Sequence, residues 1–270
     1  MKPTEEVSAA LLSGVTETLL LTARAKYVET QRKDRLFDDP KLEEMFTRVR
    51  YDFSHNKLKG VFIGGMVART LQYDQLLLEF VAENPECTII CLGAGLDTRM
   101  ARLRLQDKYW VDVDLPEVID IREHFYEPSM HHRMLAYDVR DPQWMQEVPR
   151  DLPIIMLGEG LFPYLTPKEN RELFRTLQAE FPGATLLFDL ASPMAVKRRP
   201  YQANIKAVRA VLHWGANTGE EIDIWLDSPA FQEDYMYLIN YPQRLPGAFK
   251  LALKLIPPLK HMGKVVKAVF

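Results

Sequence analysis

Cys91-Leu92-Gly93-Ala94-Gly95-Leu96-Asp97-Thr98-Arg99 carries the clearest structural signal in this 270-residue chain. It ends a short apolar run, Thr88–Leu92, and places two glycines where a strand gives way to a helix. A strand that is apolar along its whole length is covered on both faces, as in a parallel sheet. Glycine permits positive φ and lets a ligand approach the backbone closely. In open α/β sheets ligands bind beyond the carboxyl ends of the strands, and the turn after the first strand is the usual place. A dinucleotide fingerprint would carry a third glycine at position 98, where this chain has Thr98.

Working outward, short apolar runs alternate with amphipathic segments, which predicts an α/β fold with a mostly parallel sheet and crossover helices on both faces. The further predicted strands are Tyr109–Val113, Arg133–Tyr137, Ile154–Leu157 and Ala184–Leu190. Between the last two a helix is predicted over Pro167–Glu180, with Thr166 as N-cap and Glu169 completing a capping box. Upstream, the spacing of Val7, Leu11, Leu12, Val15, Leu19 and Leu20 predicts an amphipathic helix within residues 7–30. A second helix is expected after Asp39-Pro40, and a third over Met66–Glu83. Downstream, residues 193–213 read as helical and basic, Tyr235–Ile239 as a late strand and Lys264–Phe270 as the last one. With no repeat or Gly/Ser linker, one domain is expected over 1–270. Its parts are a helical N-terminal extension (1–65), a ligand-binding core (66–190), a lid insertion (191–232) and C-terminal strands (233–270).

The hydrophobic fraction of 47% and charged fraction of 26% suit a globular protein with a sizeable core. A net charge of -3 argues against general affinity for nucleic acid or for an anionic membrane. Cys87 and Cys91 form neither a disulfide framework nor a zinc site, and read as small buried hydrophobes. His55, His131 and His132 lack metal-ligand spacing, so no metal is expected. Neither a secretory signal nor a membrane-length apolar run is evident, and the expected location is the cytoplasm.

Val111-Asp112-Val113-Asp114 puts acids about twenty positions past Gly93, where a carboxylate can accept both hydroxyls of a ribose. The two aspartates point to the same side of a strand, so spacing alone does not choose between them. Asp114 is read as capping the helix that starts near Pro116, and Asp112 as the ribose ligand. Asp138 ends the third strand, where it can accept from an adenine amine or serve as a turn residue before Asp141-Pro142.

Four segments together carry a resemblance: Ala68-Arg69-Thr70 with Asp74, Leu92 to Arg99, Val111 to Glu117, and Glu159-Gly160-Leu161-Phe162-Pro163-Tyr164-Leu165-Thr166. They resemble the leucine carboxyl methyltransferase family, which includes polyketide O-methyltransferases. The likeness runs from about residue 20 to 190, and Arg24-Ala25 through Asp39-Pro40 is similar to the family's helical lead-in. Family members usually carry Glu at the position of Asp112. The resemblance implies a class I methyltransferase fold, Rossmann-like, that binds S-adenosyl-L-methionine. It implies that Arg69 binds the methionine carboxylate, that Gly93, Ala94, Gly95 and Asp97 wrap the methionine portion, and that Glu159 and Gly160 line the methionine end. Phe162 and Tyr164 would border the acceptor pocket, with core packing as the alternative for both and as strong a reading for Phe162; Trp214 would add apolar surface from the lid or pack the lid onto the sheet. A guanidinium pairs bidentately with a carboxylate, which suits Arg69 to that role. Its structural alternative is a salt bridge to Asp74 or Asp97, and Arg99 is read as a structural partner of an acidic neighbour.

The implied reaction is O-methylation of a carboxylate or hydroxyl, on a small-molecule acceptor or, as the family's name suggests, on a protein. In-line methyl transfer asks mainly for positioning. A carboxylate is already ionised at pH 7 and needs no general base, which fits the absence of a nucleophile-base motif. Tyr164 is the one side chain suggested for a catalytic part. The competing expectations are an NAD-dependent oxidoreductase and a non-catalytic cofactor-binding domain; the sequence leaves the oligomeric state open.

Overall fold

The computed structural model describes residues 7–8, 18–51, 58–197 and 211–270. Strand β1 (Thr88–Leu92) is buried at every position. It lies in a seven-stranded sheet with β2 (Tyr109–Asp114), β3 (His132–Ala136), β4 (Ile154–Gly158), β5 (Thr185–Ala191), β6 (Phe231–Tyr235) and β7 (Gly263–Val269). The order across the sheet is β3-β2-β1-β4-β5-β7-β6. Strands β1 to β5 run parallel, and β7 is antiparallel to both β5 and β6. The chain winds outward in one direction through β2 and β3 and in the other through β4 and β5. The carboxyl ends of β1 and β4 therefore flank the switch point, where open α/β sheets leave a crevice.

Side-chain alternation along β1 divides the core. Ile89 and Cys91 pack with α1 (Thr18–Thr30), α2 (Pro40–Arg48) and α3 (Gly60–Glu83), whereas Ile90 and Leu92 pack with α6 (Pro167–Glu180). Between these, α4 (Arg99–Arg102) and α5 (Pro116–Glu123) follow β1 and β2. The capping box of α6 is present: the Thr166 hydroxyl accepts from the Glu169 amide at 3.3 Å, and the Glu169 carboxylate accepts from the Thr166 amide at 2.8 Å.

Several boundaries differ from those expected. Helix α1 starts at Thr18, while Val7–Ser8 pairs in parallel with Val49–Arg50; residues 9–17 lie outside the described residues. Helix α3 begins at Gly60, six residues before the predicted Met66, because Val61-Phe62-Ile63 continues the apolar pattern with no stop signal. The late strand is Phe231–Tyr235 rather than Tyr235–Ile239. As an edge strand β6 is only partly buried, and the apolar Tyr237–Asn240 stretch is instead a helix tied to α3 by Asn240 donating to Gln72 at 2.6 Å. Of the segment read as a basic helix, Pro193–Lys197 is helical, 198–210 lies outside the described residues, and 211–216 is irregular. Among the described residues no helix is long and apolar enough to cross a membrane.

The α6 cap yields a stability test. Thr166→Ala removes the hydroxyl half of the box and is expected to lower unfolding free energy by about 1 kcal/mol in chemical denaturation.

Candidate active site

The glycine bend forms because β1 must turn sharply into α4 beside β2. Gly93 and Gly95 adopt φ of +66° and +50°, a region costly for residues with a Cβ. The Gly93 amide donates to Val113 O at 2.8 Å and the Asp97 amide to Ala94 O at 2.9 Å, closing the bend. Arg122 on α5 fixes its far side, donating to Gly95 O at 2.9 Å and Asp97 O at 3.0 Å. A cavity of about 520 Å³ opens beyond the bend, within the size range of small-molecule sites. Gly93, Ala94, Gly95, Asp97, Asp138, Glu159, Gly160, Arg69 and Tyr164 all line it, so the bend is open rather than plugged by side chains.

One end of the cavity is a buried ionic cluster. Glu159, just past β4, accepts from Arg69 Nε at 3.1 Å and from the Arg99 guanidinium, with Lys26 Nζ of α1 at 3.5 Å. Arg69 also donates to Asp189 at 2.9 Å, and Asp189 accepts from the Gly160 amide. Arg99 reaches on to Asp74 at 2.9 Å and to Asp97. Thus Arg69 pairs with neither Asp74 nor Asp97, which belong to Arg99, and to Arg102 in the case of Asp74. Burial disfavours a charge on Glu159, but Arg99, Lys26 and Arg69 outweigh it and hold the carboxyl well below its ordinary range. Asp189 shows the opposite balance: burial raises it despite Arg69.

At the other end the two strand aspartates are placed differently from what was expected of them. Asp112 is fully buried and does not line the cavity. Its oxygens are taken by Trp110 Nε1 at 2.9 Å, His132 Nε2 at 2.8 Å and the Arg122 guanidinium. Burial opposes its ionisation, yet Arg122 and His132 keep its pKa below the usual value. Asp114 lines the cavity instead, accepting from the Gly95 amide and the Leu115 amide, each at 2.7 Å. Leu115 is the N-cap of α5, so Asp114 is not the side-chain cap that the sequence suggested. Desolvation raises the Asp114 pKa to about 6 against these two hydrogen bonds. Asp138 lines the cavity with its carboxylate braced by Arg140 at 2.8 Å, and Arg140 pairs with Glu169.

Two residues expected in the acceptor pocket are core instead. Phe162 has no exposure and stacks on Phe174 with ring centres 4.8 Å apart, because the 3-10 turn after Leu161 drives the ring under the sheet edge. Trp214 packs between Phe188 and Trp225. The lining here comes from their neighbours Tyr164, Leu212 and His213, with Phe62 and Met66 of α3. Lys26, Asp114, Asp189 and His213 were missed as site residues. Two had a signal: Lys26 is a charge among the apolar residues of α1, and Asp189 breaks the apolar run of β5.

A glycine bend at the sheet's switch point, an arginine-carboxylate cluster on one side and a backbone-held aspartate on the other form a set that comparison with known proteins explains. The leucine carboxyl methyltransferase family model matches residues 19–178. The chain belongs to the leucine carboxyl methyltransferase family. Among curated relatives, the tetracenomycin polyketide synthesis O-methyltransferase of Streptomyces glaucescens is 29% identical over 84% of this chain and 84% of its own length. An S-adenosyl-L-methionine-dependent methyltransferase of Gibberella zeae is 28% identical over 87% of this chain and 83% of its own. In fold, magnesium protoporphyrin IX methyltransferase of Synechocystis, solved with S-adenosylhomocysteine, gives a TM-score of 0.51 at 11% identity, covering 85% of this chain and 93% of that one. This leucine carboxyl methyltransferase family member is an S-adenosyl-L-methionine-dependent methyltransferase with the class I fold. The oxidoreductase alternative finds no support among these relatives.

The different placement of the two aspartates is testable. Asp112→Ala leaves Arg122 without its buried partner and is expected to cost about 3–5 kcal/mol of stability. Asp114→Asn is expected to leave the denaturation midpoint nearly unchanged while weakening S-adenosylhomocysteine binding at least tenfold in calorimetry, the loss expected for a hydrogen bond to a charged group.

Proposed function

We propose that the protein methylates an oxygen, carboxylate or hydroxyl, of a small organic acceptor, using S-adenosyl-L-methionine bound along the glycine bend. The observation that carries this reading is the arrangement of one cavity: two glycines at the bend, opposite charges clustered at one end and Asp114 at the other. The residues fit the cofactor. Arg69 and Lys26 are suited to its carboxylate, Glu159 and Asp189 to its ammonium, Asp114 to the ribose hydroxyls and Asp138 to the adenine amine. Gly93 and Gly95 hold φ of +66° and +50°, which residues with a Cβ rarely adopt, so the bend keeps two positions without side chains in the cradle. When bound, the cofactor supplies an electrophilic methyl group on a sulfonium.

The chain's own residues supply orientation and exclusion of water. Leu19, Leu21, Thr22 and Lys26 of α1 line the cavity from one side, and Leu161, Leu212 and Ala191 from others, so the acceptor oxygen would meet the methyl in a largely apolar chamber. A carboxylate acceptor arrives ionised and needs no base. For a hydroxyl acceptor, Tyr164 and His213 are two titratable side chains that line the cavity beside Leu212 and Phe62. Tetracenomycin polyketide synthesis O-methyltransferase supports the choice of oxygen and of a small acceptor.

Incubating the protein with isotopically labelled methyl donor and a metabolite extract tests the activity directly. Labelled ester or ether is expected; S-adenosylhomocysteine binding with no labelled product from the extract or an acid and phenol panel would leave only a cofactor-binding domain. Gly95→Val forces a β-branched residue to φ near +50° and is expected to weaken S-adenosylhomocysteine binding at least tenfold. Binding should also follow the titration of Asp114. Its buried carboxyl holds a proton up to about pH 6, and ribose hydroxyls donate to the ionised form. Affinity is then full above pH 6 and falls about tenfold per unit below it, and Asp114→Asn flattens that profile.

A further inference from the structure

A second cavity of about 290 Å³ shares Phe62 and Met66 with the first. These side chains, one helical turn apart on α3, line both spaces and so form the wall between them. On its own side the second cavity is bounded by Val61, Tyr237, Leu238, Phe249 and Met262, with Lys59 the only charged side chain in its lining among the described residues. On the first cavity's side, Phe62 packs in a small apolar group with Leu21, Leu212 and Tyr164, and Met66 lies three residues before Arg69. The second space therefore adjoins the chamber where the acceptor oxygen must come, rather than the Asp114 end.

The glycines of α3 separate a structural need from a reserved space. A Cβ at Gly64 would lie 2.7 Å from Arg244 O, so close backbone packing requires that glycine. Among the described residues a Cβ at Gly65 would meet only Leu238 Cδ2 at 3.8 Å, an ordinary contact, and its backbone is helical. Glycine inside a helix is destabilising relative to alanine, and packing gives no reason for it at 65. What the missing side chain leaves open is this cavity, which Gly65 lines. Met66 and Met262, unbranched and adaptable, are suited to walls that reshape around a guest.

We propose that this apolar space is the subsite for the body of the methyl acceptor, which is then amphipathic: an oxygen nucleophile on a hydrophobic ring or chain that passes Phe62 and Met66. The inference rests on the methyltransferase reading of the first cavity. Its volume is near the lower end of small-molecule sites, and an apolar chain entering it gains about fourfold in affinity per buried methylene.

Protein labelled with ¹³C at its methionine methyl groups and saturated with S-adenosylhomocysteine is titrated with dodecanoate, with butanoate as the short control. Dodecanoate is expected to shift the Met66 and Met262 resonances saturably, and butanoate to leave Met262 unmoved. Gly65→Leu fills the space and is expected to weaken dodecanoate at least tenfold with S-adenosylhomocysteine affinity unchanged. Gly65→Ala, which favours the helix, gives a folded second variant with a raised Tm and a smaller loss. Resonances of Met66 and Met262 that stay still, or dodecanoate affinity equal in the wild type and both variants, overturns the proposal. Failure of S-adenosylhomocysteine to bind the wild type would instead overturn the methyltransferase reading on which it rests.

Discussion

The site depends on a carboxylate that has no business being charged where it lies. Glu159 is largely shielded just past the end of β4, its side chain 9% exposed, and stays ionised because Arg69, Arg99 and Lys26 converge on it from α3, α4 and α1. Removing any of these cations would leave a buried charge partly uncompensated, which costs far more than a surface ion pair is worth. The cluster extends through Asp74 to Arg102, which lies 3.4 Å from Asp39, and Asp39 accepts from Thr98 at 2.5 Å and from the Leu42 amide at 3.0 Å. The N-terminal helices are thereby locked to the residues that follow the glycine bend.

A second buried cluster does the same for the opposite side. Asp112 fixes Arg122, and Arg122 in turn holds the carbonyls of Gly95 and Asp97. The bend is thus clamped between a charge cluster that borders the cavity and one that is fully buried, while its amide face stays clear. Such pre-organisation keeps the reorganisation cost at binding low, which is what a positioning catalyst needs. Asp114, accepting from Gly95 and Leu115, is left as the strand aspartate with access to a ligand.

How far the sequence could be read depended on whether a signal was local. The five parallel strands and the α6 capping box were legible because apolar runs and the Thr166/Glu169 spacing carry their own meaning. The glycine bend was legible for the same reason. The choice between Asp112 and Asp114 was not, since both share a face of β2 and only tertiary packing of Trp110, Arg122 and His132 withdraws the first. Phe162 and Trp214 were misassigned because an aromatic beside a site motif looks the same in sequence whether it faces the cavity or the core; the rings of Phe174 and Phe188 decide it. Lys26 and Asp189 are more than 160 residues apart in the chain, and only folding brings both onto the Glu159 and Arg69 pair.

If the cluster around Glu159 exists to receive a zwitterion, the aminoacyl part of the ligand must contribute most of the discrimination. Calorimetry comparing S-adenosylhomocysteine with 5′-methylthioadenosine, which keeps the nucleoside and sulfur but lacks the amino acid, tests this most directly. The account predicts binding of S-adenosylhomocysteine at least a hundredfold tighter, as two charge-assisted contacts would give. Equal affinity for the two ligands would contradict it and would leave the buried charges with a purely structural part.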